Sequence, residues 1–369
     1  MTRADELGKA VRDRHFGELG DRAYLNTASM AVPPGAAVAR LREEIAGWAA
    51  GRGNFDEWER AAERARELAA PLFGREPRDV ALVSSYTEGA SMIARALPDA
   101  SVVVPEQEFR SNLMPWLEGR ERVRLVPAPA TTEAICQAID GGTDLVAVSS
   151  VQSADGLRVD LPRLVAHAHA NGALVHVDAS QSLGVDAAIA ASGADFVGSV
   201  AYKWILGSRG AGFLAVRPEH RGRFTPSVVG PYAATGIADH VYYGPDYTLW
   251  GDARRFDQPQ AWLPWLATLG GLEVLRAYDT EALDAHATEL AGRFRAGAAE
   301  IGLRATAPVD VPSAIVSLAH PDASAAVARL AEAGVTASER DGAVRFAFHL
   351  YNTDTDVDTA LTVLKTSAS

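Results

Sequence analysis

The hydrophobic positions of this chain fall into short apolar runs separated by stretches with helical spacing. The runs occupy residues 80–83, 101–104, 123–126, 145–148, 173–177, 196–200 and 212–216. Each is short for a helix and shows little polar alternation, as expected of strands buried on both faces. Helical spacing separates most of them, notably over 160–171 and 181–192, and fills 34–69 apart from a Gly-rich break at 51–54. This alternation predicts an α/β fold, a mainly parallel sheet with helices on both faces.

Residues 50–265 read as one large domain, with 1–49 an N-terminal segment that packs with the small domain. After Gly270 and Gly271 a long helical stretch covers 272–301. Strand-like VPSAIVSL, helix-like ASAAVARLAEAG and strand-like AVRFAFHL follow. Residues 266–369 therefore read as a smaller C-terminal α+β domain. The segment from Tyr232 to Asp257 is rich in Gly, Tyr and Pro and is expected to be a long functional loop.

Composition adds limits. With 369 residues, 48% hydrophobic and 22% charged, the chain can bury a large core without metals or crosslinks. A net charge of -12 opposes binding to nucleic acid or an anionic membrane, so a small-molecule partner is expected. Cys136 stands alone, so no internal disulfide or thiol-rich metal site is expected. This usage suits a reducing compartment. The N-terminal stretch lacks a signal-peptide core and no apolar run reaches membrane-span length, which points to a cytoplasmic protein. Of the 35 basic residues only Lys9, Lys203 and Lys365 are lysines, and Lys203 alone lies well inside the chain.

In VHVDASQSLG an apolar run ends at Asp178, and in SVAYKWILG the next run ends just before Lys203. A right-handed crossover between two parallel strands brings both groups to one edge of the sheet, where open α/β sheets bind ligands. One reading is a buried salt bridge. The other is an amine that forms a Schiff base with a carbonyl cofactor while the carboxylate keeps a pyridinium nitrogen protonated. Pyridoxal phosphate needs both groups. Its phosphate needs a helix N-terminus, and SSYTEGASMIARAL offers one, with Thr87 able to donate from hydroxyl and amide. Similar caps also begin helices that bind nothing.

The ordered segments SSYTEG, PEQEFRSNLMPW, VSSVQSADG, HVDASQSLG, AYKWILGSRGAGF and VRFAFHLYNT resemble the class V aminotransferase family of pyridoxal phosphate enzymes. The likeness runs from YLNTA at Tyr24 to the YNT that begins at Tyr351. It implies fold type I and places this chain near cysteine desulfurases, kynureninases and isopenicillin N epimerase-like proteins. By this resemblance Lys203 is the Schiff-base lysine, Asp178 the pyridinium partner and Gln181 a donor to the phenolic oxygen. Thr87 becomes a phosphate ligand, with Tyr202 a second, and Phe109 stacks on the ring where many relatives place a histidine. Arg345 grips the substrate α-carboxylate, with Asn26 a further substrate contact. Alternation along AVRFAFHL leaves a solvent-facing Arg345 as the other reading. The resemblance also implies a homodimer.

Two departures bear on the reaction. Cysteine desulfurases carry a persulfide-forming cysteine in the C-terminal domain, where this chain has none; Cys136 reads as a small buried hydrophobe. The loop before the small domain keeps Arg255, Phe256 and Asp257, but Gln258, Pro259 and Gln260 replace a Gly-Thr that relatives send to the partner's phosphate. Gln260 is a candidate substitute. Trp250, Trp262 and Trp265 read either as lining the substrate entrance or as packing. The expected activity is removal of the Cα proton of an amino acid, leaning to elimination of the carbon-sulfur lyase kind. Aminotransfer, epimerisation and a non-catalytic cofactor-binding role are the alternatives.

Overall fold

The computed structural model describes residues 3–236, 241 and 243–367. The chain opens with α1 (Arg3–His15), β1 (Ala23–Tyr24), α2 (Gly35–Ala49) and α3 (Phe55–Ala69). The break between α2 and α3 is the Gly-rich segment, and Asn54 restarts the helix by accepting from the Glu57 N–H at 3.3 Å. There follow β2 (Val80–Val83), α4 (Tyr86–Ala96), β3 (Val102–Pro105), α5 (Arg110–Leu117), β4 (Val123–Val126) and α6 (Thr132–Ala138). Then come β5 (Leu145–Ser149), α7 (Leu161–Ala170), β6 (Leu174–Asp178), α8 (Ala188–Ala191), β7 (Phe196–Val200) and β8 (Gly212–Val216).

These strands form one seven-stranded sheet in the order β2-β8-β7-β6-β5-β3-β4. All neighbours are parallel except β8, which runs against both β7 and β2. Most of its strands are buried along their full length, so the sheet is covered on both faces as the unalternated apolar runs require.

The remainder holds α9 (Trp262–Leu275), α10 (Thr280–Glu300), β9 (Arg304–Ala305), β10 (Ile315–Ala319), α11 (Ala323–Glu332), β11 (Val335–Thr336), β12 (Ser338–Arg340), β13 (Ala343–Ala347) and α12 (Asp354–Ser367). A four-stranded sheet runs β12-β13-β10-β9, and β1 pairs in parallel with β11, so residues near the N-terminus join the C-terminal elements. Arg12 of α1 reinforces this by bonding Asp356 at 2.6 Å. No helix among the described residues is long and apolar enough to cross a membrane.

Two expected helices differ. The stretch 181–192 is a series of turns with only α8 at its end, because Gly184 (φ +96°) breaks any regular spiral. The stretch 272–301 is two helices: α9 starts earlier and stops at Leu275, and Asp279 caps α10 by accepting from the Ala282 N–H at 3.0 Å. Gly270 and Gly271 let α9 press close: a Cβ on Gly271 would sit 2.4 Å from the Ile205 carbonyl oxygen, in the loop that carries Lys203. Part of the expected loop from Tyr232 to Asp257, residues 237–240 and 242, lies outside the described residues.

Candidate active site

The carboxyl ends of β2, β5, β6 and β7 and the amino end of β8 face one cavity of about 570 Å³. Asp178 ends β6, beside Ser149 of β5 and Gly198 of β7. Lys203 lies three residues past the end of β7, so the parallel pairing brings amine and carboxylate to the same edge, as the sequence predicts. Thr87 lines the cavity from the first turn of α4. Ser85 caps that helix, accepting from the Glu88 N–H at 3.2 Å. The N–H groups of Tyr86 and Thr87 precede the first intrahelical acceptor and are available to an anion.

Lys203 is 7% exposed. Burial lowers its pKa to about 8; Asp178 opposes that shift, while Arg345 and Arg340 add to it. Asp178 moves the other way: burial raises it, against the pull of Ser180, whose N–H donates to Oδ1 at 2.8 Å, and of Lys203. The Lys203 amine stands 5.6 Å from the Phe109 ring centroid and 5.7 Å from that of Tyr202. Phe109 is 52% exposed, so it forms an open aromatic wall of the cavity.

Gln181 also lines the cavity, but its amide is engaged. It donates to the Ala28 carbonyl at 3.1 Å and to Ser153 Oγ at 3.0 Å, and it accepts from the Trp204 indole at 3.0 Å. Arg345 on β13 is 1% exposed, which excludes the solvent-facing reading. Its Nη1 donates to the Ser153 carbonyl at 2.5 Å and hydroxyl at 3.0 Å, and its Nη2 to Ser29 Oγ at 2.8 Å. Asn26 bridges to Ala347, two residues beyond Arg345, and its Oδ1 is buried without a partner.

Other expected features fall elsewhere. Trp265 is core, edge-on to Phe213 at 5.2 Å, Trp262 packs on Trp58 and Phe55, and Trp250 lies against Arg254; none lines the cavity. Gln258 turns its amide onto the carbonyls of Phe256 and Asp257. Gln260 holds a buried, unpaired Oε1. Asn352 and Thr353 form the turn into α12, with Asp356 accepting from both.

Three residues escaped the sequence reading. Arg209 lines the cavity beside Gly210 and Ala211, and no ion pair holds it among the described residues. Its loop runs into Gly212, where a Cβ would stand 3.4 Å from Ser85, so the loop returns to the cavity beside the start of α4. Glu108, directly before Phe109, is buried and accepts from the Ser149 N–H at 2.6 Å, the Ser149 hydroxyl at 2.5 Å and Gln152 at 2.7 Å. Burial raises it to about 7 against those bonds. Ser153 ties Gln181 to Arg345. The first and last of these sit inside the motifs GSRG and QSADG, but nothing in their spacing marks them.

Comparison with known proteins agrees with this fold. A probable cysteine desulfurase of Methanothermobacter thermautotrophicus is 32% identical over 245 residues, 62% of this chain and 61% of that protein. The chain thus spans less than two thirds of that relative. A kynureninase of Deinococcus radiodurans is 27% identical over 95% of this chain and 91% of its own length. Among solved structures, the apo cysteine desulfurase of Thermococcus onnurineus shares the fold with a TM-score of 0.83 at 20% identity, covering 100% of this chain and 99% of that one. A mutant of C-DES with glycine covalently linked to its pyridoxal phosphate gives 0.83 at 18% identity, covering 96% and 98%. The fold is fold type I. The family model for aminotransferase class-V matches residues 23–360, and the chain belongs to that family of pyridoxal phosphate-dependent enzymes.

Proposed function

We propose that this enzyme removes the Cα proton of an amino-acid substrate and directs the outcome to elimination, as a carbon-sulfur lyase that forms no persulfide on a cysteine of its own. The observation that carries this reading is the position of Cys136. It is the one cysteine in the sequence, it is buried in α6, and no thiol lines the cavity. Burial raises its pKa, the opposite of what a nucleophilic thiol requires.

The residues fit pyridoxal phosphate: a buried amine, a buried carboxylate, an open aromatic face and a helix N-terminus converge on one cavity. When bound, the cofactor supplies an electron sink for the pair released as a bond to Cα breaks. Thr87, the first-turn N–H groups of α4, Tyr202 and Arg209 would hold the phosphate. Asp178 would face the pyridine nitrogen, and the nearby Lys203 favours the charged carboxylate that role demands. Phe109 would lie against the ring. Gln181 would donate to the phenolic oxygen on releasing Ser153 or Ala28.

Arg345 takes the substrate α-carboxylate through a planar fork, with Asn26 beside it. Lys203, held near neutral by burial, moves the proton at Cα. Phe109 offers no second acid or base, which weighs against a two-base epimerase. Aminotransfer is the second reading, favoured by the same single lysine, since one base on one face can carry a proton between neighbouring carbons. We also read the enzyme as a cytoplasmic homodimer; the wide exposure of Phe109 at the cavity supports a second subunit covering it.

Purified protein is expected to show the visible band of lysine-linked cofactor, and Lys203→Ala is expected to abolish it. A band retained in that variant would overturn the Lys203 assignment. Incubation with cysteine and its S-conjugates should release pyruvate and ammonia in equal amounts. A keto acid formed without ammonia would replace elimination by aminotransfer.

A further inference from the structure

Arg345 on β13 and Arg340 at the end of β12 lie on adjacent antiparallel strands. Their side chains meet at one atom: Arg345 Nη2 and Arg340 Nη2 donate to Ser29 Oγ at 2.8 and 2.9 Å. The hydroxyl oxygen has two lone pairs and so accepts both, but it brings no charge. Among the described residues neither guanidinium has a carboxylate within ion-pair distance. The other buried arginines of the chain are different: Arg66 has Asp257 and Glu63, and Arg158 has Asp186 and Asp284.

Arg345 also keeps a buried Nε with no acceptor. Burial first, then the nearby Arg340, lower its pKa to about 9, and both arginines depress Lys203. Three cations, Lys203, Arg345 and Arg340, therefore act on one another here, and of the three only Lys203 is offset by a carboxylate, Asp178. The α-carboxylate of an amino acid balances only one of the two arginines. Arg340 is exposed while Arg345 is buried, and they share Ser29, so a second anion reaching Arg340 lies nearer solvent than one held by Arg345 alone.

We propose that Arg340 is a specificity residue that binds a second carboxylate, on the side chain of an acidic amino-acid substrate, while Arg345 binds the α-carboxylate. This rests on the role of Arg345 given above. Ser29 holds the two guanidinium groups at the separation the substrate's two carboxylates must match. A monoanionic amino acid leaves Arg340 uncompensated and binds more weakly.

The test uses anions that carry no amine, so that it reads the pocket and not the chemistry. Isothermal titration of the holoenzyme with succinate and with propionate is expected to show succinate binding about ten-fold tighter, the worth of one charge-assisted contact. Arg340→Gln should bring that ratio close to one, Arg340→Lys should restore part of it, and Arg345→Gln should weaken both anions. Equal binding to the wild type, or a ratio that survives Arg340→Gln, would overturn the proposal. Arg340 is exposed, so its variants are expected to fold, which circular dichroism checks. Titrating the holoenzyme with alanine and following its visible spectrum tests the Cα chemistry separately. Succinate bound through Arg340 alongside an unresponsive spectrum would sink that chemistry and leave this inference standing.

Discussion

Arg66 and Arg345 are almost equally buried, at 2% and 1% exposure, yet their surroundings are opposite. Arg66 donates to Asp257 at 2.7 and 3.1 Å, to Glu63 at 2.8 and 3.0 Å, and to the Val80 carbonyl at 2.5 Å. Burial pulls its pKa down, and Asp257 and Glu63 more than reverse that, raising it above the ordinary arginine value. Asp257 also accepts from the Leu82 N–H at 2.8 Å, so the pair fastens α3 and the loop before α9 to β2, the strand that leads into Thr87. Arg345 has only neutral oxygens and an unused N–H. A charge whose counter-ion lies within the chain builds the fold; a charge without one makes room for a ligand that brings it.

Removing the counter-ion from the first arginine is the harshest test of this contrast. Asp257→Ala removes the buried one of its two carboxylates, leaving only the exposed Glu63, and is expected to cost about 3–5 kcal/mol in urea unfolding. A loss under about 1 kcal/mol would show that the exposed Glu63 alone suffices as the counter-ion of Arg66. Arg345→Met should behave in reverse. Its stability is expected to stay within about 1 kcal/mol of wild type, or to rise, because an uncompensated charge has been removed. Meanwhile kcat/KM should fall about 100-fold, near 2.7 kcal/mol of lost binding. Marked unfolding of this variant would make Arg345 a structural residue like Arg66.

Glu108 gives the smallest and finest test, as a buried carboxyl with three donors and no cation. Its pKa is raised to about 7, so the folded state holds the proton more tightly than the unfolded chain does. The stability this contributes is complete below the unfolded carboxylate range near pH 4.5 and is lost as pH rises through 7. Between pH 5 and pH 8 the wild type should lose about 1–2 kcal/mol relative to Glu108→Gln. A flat difference across that range would mean that the three donors hold Glu108 ionised throughout.

The sequence made the sheet, the cavity edge and the Asp178 and Lys203 pair legible, because unalternated apolar runs and their carboxyl ends are local signals. It misread the stretch after Gln181, where apolar spacing imitates a helix while Gly184 imposes a turn. It ran α9 and α10 together because Tyr278, between them, keeps the apolar period. Alternation said nothing reliable of Arg345, since both faces of β13 are covered and every residue from Ala343 to Ala347 is buried. Ser29 and Arg340 lie 311 positions apart, and no local pattern announces a meeting that only the assembled fold produces. Glu108 was overlooked because its aromatic neighbour drew the chemical reading.

The reversed direction of β8 means that residues 201–211 leave the cavity edge and return to it. Within that excursion the Ala201 N–H bonds the Ala211 carbonyl at 3.1 Å, Gly207 bonds Ala201 at 2.9 Å and Leu206 bonds Lys203 at 3.0 Å. The segment is cross-tied at both ends and through its middle, while α9 presses on it from behind. Opening it requires breaking the sheet edge itself, so its fluctuations belong with global unfolding and not with loop fraying. The entropy of positioning the Lys203 backbone is therefore lost when the protein folds, and little of it remains to be lost when the cofactor arrives.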